Sequence, residues 1–191
     1  MKTIILSLFI SLLSLNCTAQ TQIVALNDCN KQYDYKSGDA YLKDTTNEID
    51  KYTGTWKWTS GNREFTLTLI KQVKHHFHQG GGDNYYEDRL VGYYQYRENG
   101  VLIADTSSDD LSQDYGAKVH FVLNCHSQIR SLGFDDYLKK KNYKVELKKL
   151  SPTQMEFKGR MHEGSIFVPR NGTVTIPGGH TFPLEMVLTK Q

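Results

Sequence analysis

Residues 48–71 read EIDKYTGTWKWTSGNREFTLTLIK, and this stretch decides the fold. Trp56 and Trp58 share one face of an extended segment. Phe65, Leu67 and Leu69 share one face of the next, with Thr66 and Thr68 on the other. Apolar and polar residues alternating with period two make a half-buried antiparallel strand. Ser60-Gly61-Asn62 supplies the turn between them. The alternation recurs downstream. Tyr143, Val145 and Leu147 alternate with Lys144, Glu146 and Lys148. Met155 and Phe157 alternate with Glu156, Lys158 and Arg160, and Leu184, Met186 and Leu188 with Glu185 and Thr189. Asn99-Gly100 suits a type I′ hairpin, because both residues tolerate positive φ. Pro152 is pre-set for a type I turn. Asn171-Gly172 and Pro177-Gly178-Gly179 mark two more turns, and Gly80-Gly81-Gly82 a loop. Eight to nine strands at this spacing predict an all-β sandwich or barrel, and no parallel βαβ pattern appears.

Helix is scarce. The best candidate is 45–52, where Thr45 can cap the start and Glu48 stands three residues on, a capping-box spacing. A second helical turn is expected within 135–141. Residues 20–44 are polar and read as an irregular lead-in to a β-domain at 45–191. The 191 residues are 38% hydrophobic and 23% charged, which suits one domain. A net charge of +2 argues against a polybasic nucleic-acid binder.

Residues 1–19 read as a leader. Lys2 supplies a positive start, and 3–15 is an apolar run too short to span a bilayer, which needs about 20 residues. Cleavage after Ala19 leaves Gln20 first. The rival is lipidation of Cys17, against which Ser14 and Asn16 stand at lipobox positions. Either reading places the chain outside the cytoplasm: secreted, periplasmic or on the outer membrane. Its membrane contact is then limited to the leader or a lipid anchor. In an oxidising compartment Cys29 and Cys125 can form a disulfide, worth roughly 4–5 kcal/mol in the chain-entropy model.

The run EIDKYTGTWKW resembles the opening of lipocalins and fatty-acid-binding barrels, in which a short helix feeds Gly-x-Trp at the first strand. That resemblance implies a single antiparallel β-barrel of the lipocalin kind, with one short N-terminal helix. Trp56 would plug the closed end, and Gly54 would let the chain pass. The family's Thr-Asp-Tyr motif and the closing Arg that stacks on the Trp have no assignable counterpart. A wider resemblance covers most of the chain. DAYLKDTTNEIDKYTGTWKW, NYYEDRLVGYYQYRENGV and FPLEMVLTKQ are similar to a family of small secreted flavobacterial proteins of unknown function. That family brings no activity, ligand or catalytic residue.

Four constellations bear on chemistry. His76 and His78 share a strand face beside the glycines, a spacing that can grip Zn²⁺ or Cu²⁺, with His75 or Asp83 as a third ligand. Asp105, Asp109, Asp110 and Asp114 form an oxygen-rich loop that lacks the EF-hand order. Tyr85, Tyr86, Tyr93, Tyr94 and Tyr96 crowd one strand pair, where they can line a cavity or present a binding face. Glu48, Glu87, Asp88 and Glu185 are the carboxylates that can pair in space as glycosidase residues do. No G-x-S-x-G, H-E-x-x-H or P-loop occurs, so no catalytic residue is assigned. No cofactor is expected.

The leading expectation is non-catalytic binding of a small, partly apolar ligand inside the barrel, with Trp56 at the base and Phe65, Leu67, Tyr94 and Phe157 on the wall. The alternative is an envelope interaction module that binds glycan or protein through surface tyrosines.

Overall fold

A computed structural model describes residues 21–28, 30–78, 82–114, 117–122, 130–166 and 177–191. The leader at 1–19, Cys17, Cys29, Cys125 and the Asn171-Gly172 turn lie outside them. Eleven strands lie within them: β1 (Gln22–Ala25), β2 (Ala40–Lys43), β3 (Gly54–Ser60), β4 (Arg63–His78), β5 (Asn84–Glu98), β6 (Val101–Asp105), β7 (Val119–Val122), β8 (Arg130–Asp136), β9 (Lys141–Lys149), β10 (Gln154–Ile166) and β11 (Glu185–Lys190). The protein is all-β. One sheet runs β1-β2-β5-β4-β3-β11-β10-β9-β8-β7, with β6 beside β5.

The turns form where Gly and Asn permit them. Gly61 (φ 58°) closes β3–β4. Asn99 (φ 52°) and Gly100 (φ 76°) close β5–β6, both residues left-handed as a type I′ turn requires. Alternation then sets the register. Trp56 pairs with Leu67, Trp58 with Phe65, and Leu67 with Tyr94, so the apolar sets face one way.

The closed lipocalin-type barrel is not what forms. The 15-residue β5 has no single closing neighbour on its outer edge. That edge is shared by β2 (Tyr86, Glu87), β7 (Val91, Gly92) and β6 (Gln95 to Glu98). The far seam is short as well, since β3 and β11 pair only at Lys57↔Thr189 and Trp56↔Lys190.

The helix expected at 45–52 is absent. Asn47 takes positive φ (55°) and interrupts the turn, leaving a 3-10 turn at Ile49–Lys51. Asp44 does the capping expected of Thr45. Its carboxylate accepts the N–H groups of Glu48 and Ile49, both at 2.9 Å. Residues 137–140 make a turn between β8 and β9, with Lys140 at φ 54°. The segment read as irregular lead-in contains β1 and β2. These pair in parallel with each other and, through β2, with β5. Four-residue strands are too short for period two to register.

The core is aromatic. Trp56, Phe65, Tyr94, Phe134, Phe157 and Phe182 are buried together with Leu67, Leu147 and Leu188. β4 and β5 approach so closely at Gly92 that a Cβ there would stand 2.2 Å from the Thr68 carbonyl oxygen.

Candidate functional site

Trp56 and the four wall residues named from the sequence all enter the core. Phe65 meets Tyr94 at 5.8 Å, Phe157 at 5.6 Å and Phe182 at 5.2 Å between ring centroids. Phe134 meets Tyr94 at 4.8 Å and Phe157 at 5.4 Å. The polar tips are engaged by the chain itself. Tyr94 donates its hydroxyl proton to the Asp135 carbonyl (2.9 Å), and the Trp56 indole N–H donates to the Tyr52 carbonyl (2.7 Å). Burial raises the Tyr94 phenol well above its ordinary range. These rings pack against one another within the core. Lys149 and Lys190 place their Nζ atoms 4.0 and 5.4 Å from the Trp56 ring centroid.

A hollow does exist at the wall. Where β3 and β11 cease to pair, a cleft of about 520 Å³ opens. Phe157 and Met186 line its inner side and Trp58 one flank. Glu156, Lys158, Glu185 and the exposed Val187 form the rim. Arg63 lies 5.5 Å over the Trp58 ring. Apolar walls with a few charged groups are the usual make-up of a small-molecule site.

The second feature is a polar cluster on the outer part of the β4–β5 hairpin. A bulge at Val73-Lys74 (Lys74 φ 54°) shifts the register, so that Gln72 pairs with Arg89 but His75 pairs with Glu87. Asp88 pins the bulge. It accepts the Lys74 N–H (2.9 Å), the Tyr41 hydroxyl (2.7 Å) and the Asp44 N–H (2.9 Å). Burial, and then Asp88, push the Tyr41 phenol to about 12. On the other face, Arg89 donates to Gln72 Oε1 (2.8 Å) and to the carbonyls of Leu111 (3.0 Å), Gln113 (2.8 Å) and Asp114 (3.4 Å). The guanidinium thus ties three carbonyls of the loop to β5. His75 Nε2 and Asp114 Oδ1 hydrogen-bond at 2.6 Å, and Asp114 Oδ2 accepts the His78 N–H at 3.0 Å. Burial raises Asp114, but these bonds outweigh it and hold the carboxyl below its ordinary range. Glu87 sits beside them. Burial pushes its carboxyl to about 7, with Arg89 and Lys31 opposing the rise and Asp114 and Asp88 adding to it.

His76 and His78 share a face as expected, 5.5 Å apart and stacked, and His76 stacks on Tyr86 at 4.6 Å. His76 Nε2 bonds Asn84 Oδ1 (2.8 Å). His75 faces Asp114, away from the other two histidines. Among the described residues no group of three His, Cys, Asp or Glu side chains is placed to hold a metal ion. Of the tyrosines, Tyr94 and Tyr96 are buried. Tyr85 packs on Phe77 (5.0 Å) and Tyr33 (5.9 Å). Of the four carboxylates, Glu48 bonds Lys51 in the 3-10 turn and Glu185 meets Lys158 at 3.9 Å. Glu87 and Asp88 are neighbours on opposite faces of β5. Sequence reasoning missed Arg89, Lys149 and Lys190. Arg89 lies in 88–92, the one stretch of β5 that is buried on both faces.

No curated protein and no solved structure matches the chain. The model of DUF6705, a family of unknown function, matches residues 1–191, and the chain belongs to that family.

Proposed function

We propose that the protein is a non-catalytic, extracytoplasmic binding module for a small, partly apolar ligand, held in the wall cleft at Trp58. The cleft carries this reading. It puts an indole, a Phe and a Met beside three charged side chains at the place where two strands part. β7, the last strand of the order, also pairs with β5 at Val91 and Gly92. The apolar run at 3–15 supports the compartment. Trp58 and Trp56 are the only tryptophans, and Trp56 is fully buried, so ligand contact reads out through Trp58. Octyl glucoside below its micelle threshold should shift the emission saturably. Trp58→Phe should abolish the shift, and Val187→Lys should weaken binding by about tenfold. An unsaturable response, or one that Val187→Lys leaves intact, refutes the reading.

A second reading rests on the stack of the exposed His78 and His76 on the half-buried Tyr86, with Lys74 Nζ 5.2 Å over the Tyr86 ring. Such a ladder can stack on sugar rings of an envelope polysaccharide. Retention of the protein on isolated envelope polysaccharide, lost in Tyr86→Ala, would favour it over the cleft.

A further inference from the structure

The seam between β3 and β11 has another side, where two ammonium groups meet at Trp56. Lys149, the last residue of β9, places Nζ 4.0 Å from the indole centroid and donates to the Pro152 carbonyl at 3.0 Å. Lys190, the last residue of β11, places Nζ 5.4 Å from the same ring. Together with Asp50, Lys51, Leu150, Ser151 and Pro152 they border a hollow of about 460 Å³. Among the described residues neither Lys149 nor Lys190 has a carboxylate within salt-bridge distance. The acids nearby are engaged elsewhere. Asp50 pairs with Lys71 at 3.1 Å, and Glu48 pairs with Lys51.

One cation is enough to cover an indole face. A second brings like-charge repulsion. Burial, and then Lys190, hold the Lys149 ammonium below its ordinary pKa. An anion between the two would turn that repulsion into attraction, and unneutralised charge pairs of this kind mark functional sites. Lysine is a point charge with three rotatable donors, which suits a tetrahedral oxyanion. Leu150, 49% exposed, and Pro152 give the hollow an apolar side.

We infer that the hollow at Lys149 and Lys190 is an anion site that takes a phosphate-type oxyanion carrying an apolar substituent. It shares no residue with the Trp58 cleft and stands or falls separately from it.

The test follows the Trp56 indole N–H resonance of the full chain on titration with phenyl phosphate. Parallel sedimentation uses phosphatidylcholine vesicles with and without phosphatidic acid. A saturable shift is expected, weakened by about tenfold or more in Lys149→Gln/Lys190→Gln. Lys149→Arg/Lys190→Arg should retain it, which also guards against loss through misfolding. Lys144→Gln/Lys148→Gln removes two charges elsewhere on β9 and should change nothing. Phenyl phosphate binding without vesicle binding assigns the site to a soluble phosphate ester. Vesicle binding that needs phosphatidic acid and both lysines assigns it to a lipid headgroup. No saturable shift with either probe overturns the inference. So does equal loss in the Lys144/Lys148 variant, or binding that survives the Lys149/Lys190 double glutamine change.

Discussion

Glu87 is a carboxylate whose chemistry departs far from its type. Its folded pKa is about 7 against an ordinary 4.5, because burial disfavours the charge. The folded state therefore binds this proton more tightly than the unfolded state between those values. Stability should fall as pH rises through that window and level off above it, by up to about tenfold in the unfolding equilibrium per pH unit. Glu87→Gln should flatten the slope and raise the urea midpoint at pH 8. A midpoint unchanged at pH 8 would contradict this account. The groups around Glu87 are His75 across the strand pair, Arg89, Asp88, Asp114, Lys31 and Tyr33. Asp44 and Asp114 act in the opposite sense, with pKa values held down, so their contributions fade only in acid. Gly92 marks a different constraint. A methyl group there would stand 2.2 Å from the Thr68 oxygen, which belongs to the backbone and cannot swing aside. Gly92→Ala should therefore cost about 2 kcal/mol or more, read from chemical denaturation.

At the scale of the element, the long β4–β5 hairpin and the loop at 106–114 form one unit. Arg89, buried to 6% exposure, joins strand to loop by three carbonyl bonds. Arg89→Met leaves those oxygens unpaired and should cost about 2–4 kcal/mol. Amide exchange at 109–114 should accelerate, while that of the β9–β10 ladder should change little. The longer strands were legible because each carries at least two turns of period two, as in Phe65-Thr66-Leu67-Thr68-Leu69. The Asn99-Gly100 turn was legible because its backbone chemistry is local. The failures share one cause, which is long-range partnership. Thr45 and Glu48 look like a capping box, yet Asp44 takes the backbone bonds, and Asp88 and Lys71 hold it in place. β1 and β2 exist because β5 offers them an edge. Period two also cannot tell a lined cavity from a filled one. Phe65, Leu67 and Phe157 point inward either way, and only their distances show that they meet.

For the whole molecule, the two pairs joining β3 to β11 divide one wall into an apolar cleft on the Trp58 side and a cationic hollow on the Trp56 side. The cleft residues were each visible in the sequence, but a place where strands part has no local signature. Lys149 and Lys190 are 41 positions apart and meet only through the order β3-β11-β10-β9. If the seam is the weakest ladder, amide exchange at 185–188 should exceed that at 154–158, although the two segments pair with each other. Equal protection would show the seam to be as firm as the rest of the wall.

Arg89 gives the loop it serves an unusual independence. A calcium-filled loop shares its ion with the surroundings and loosens when the medium is poor in minerals. Here the positive charge is tethered to the chain, its local concentration is fixed, and dilution cannot remove it. The loop should hold its shape equally in chelator and in brine.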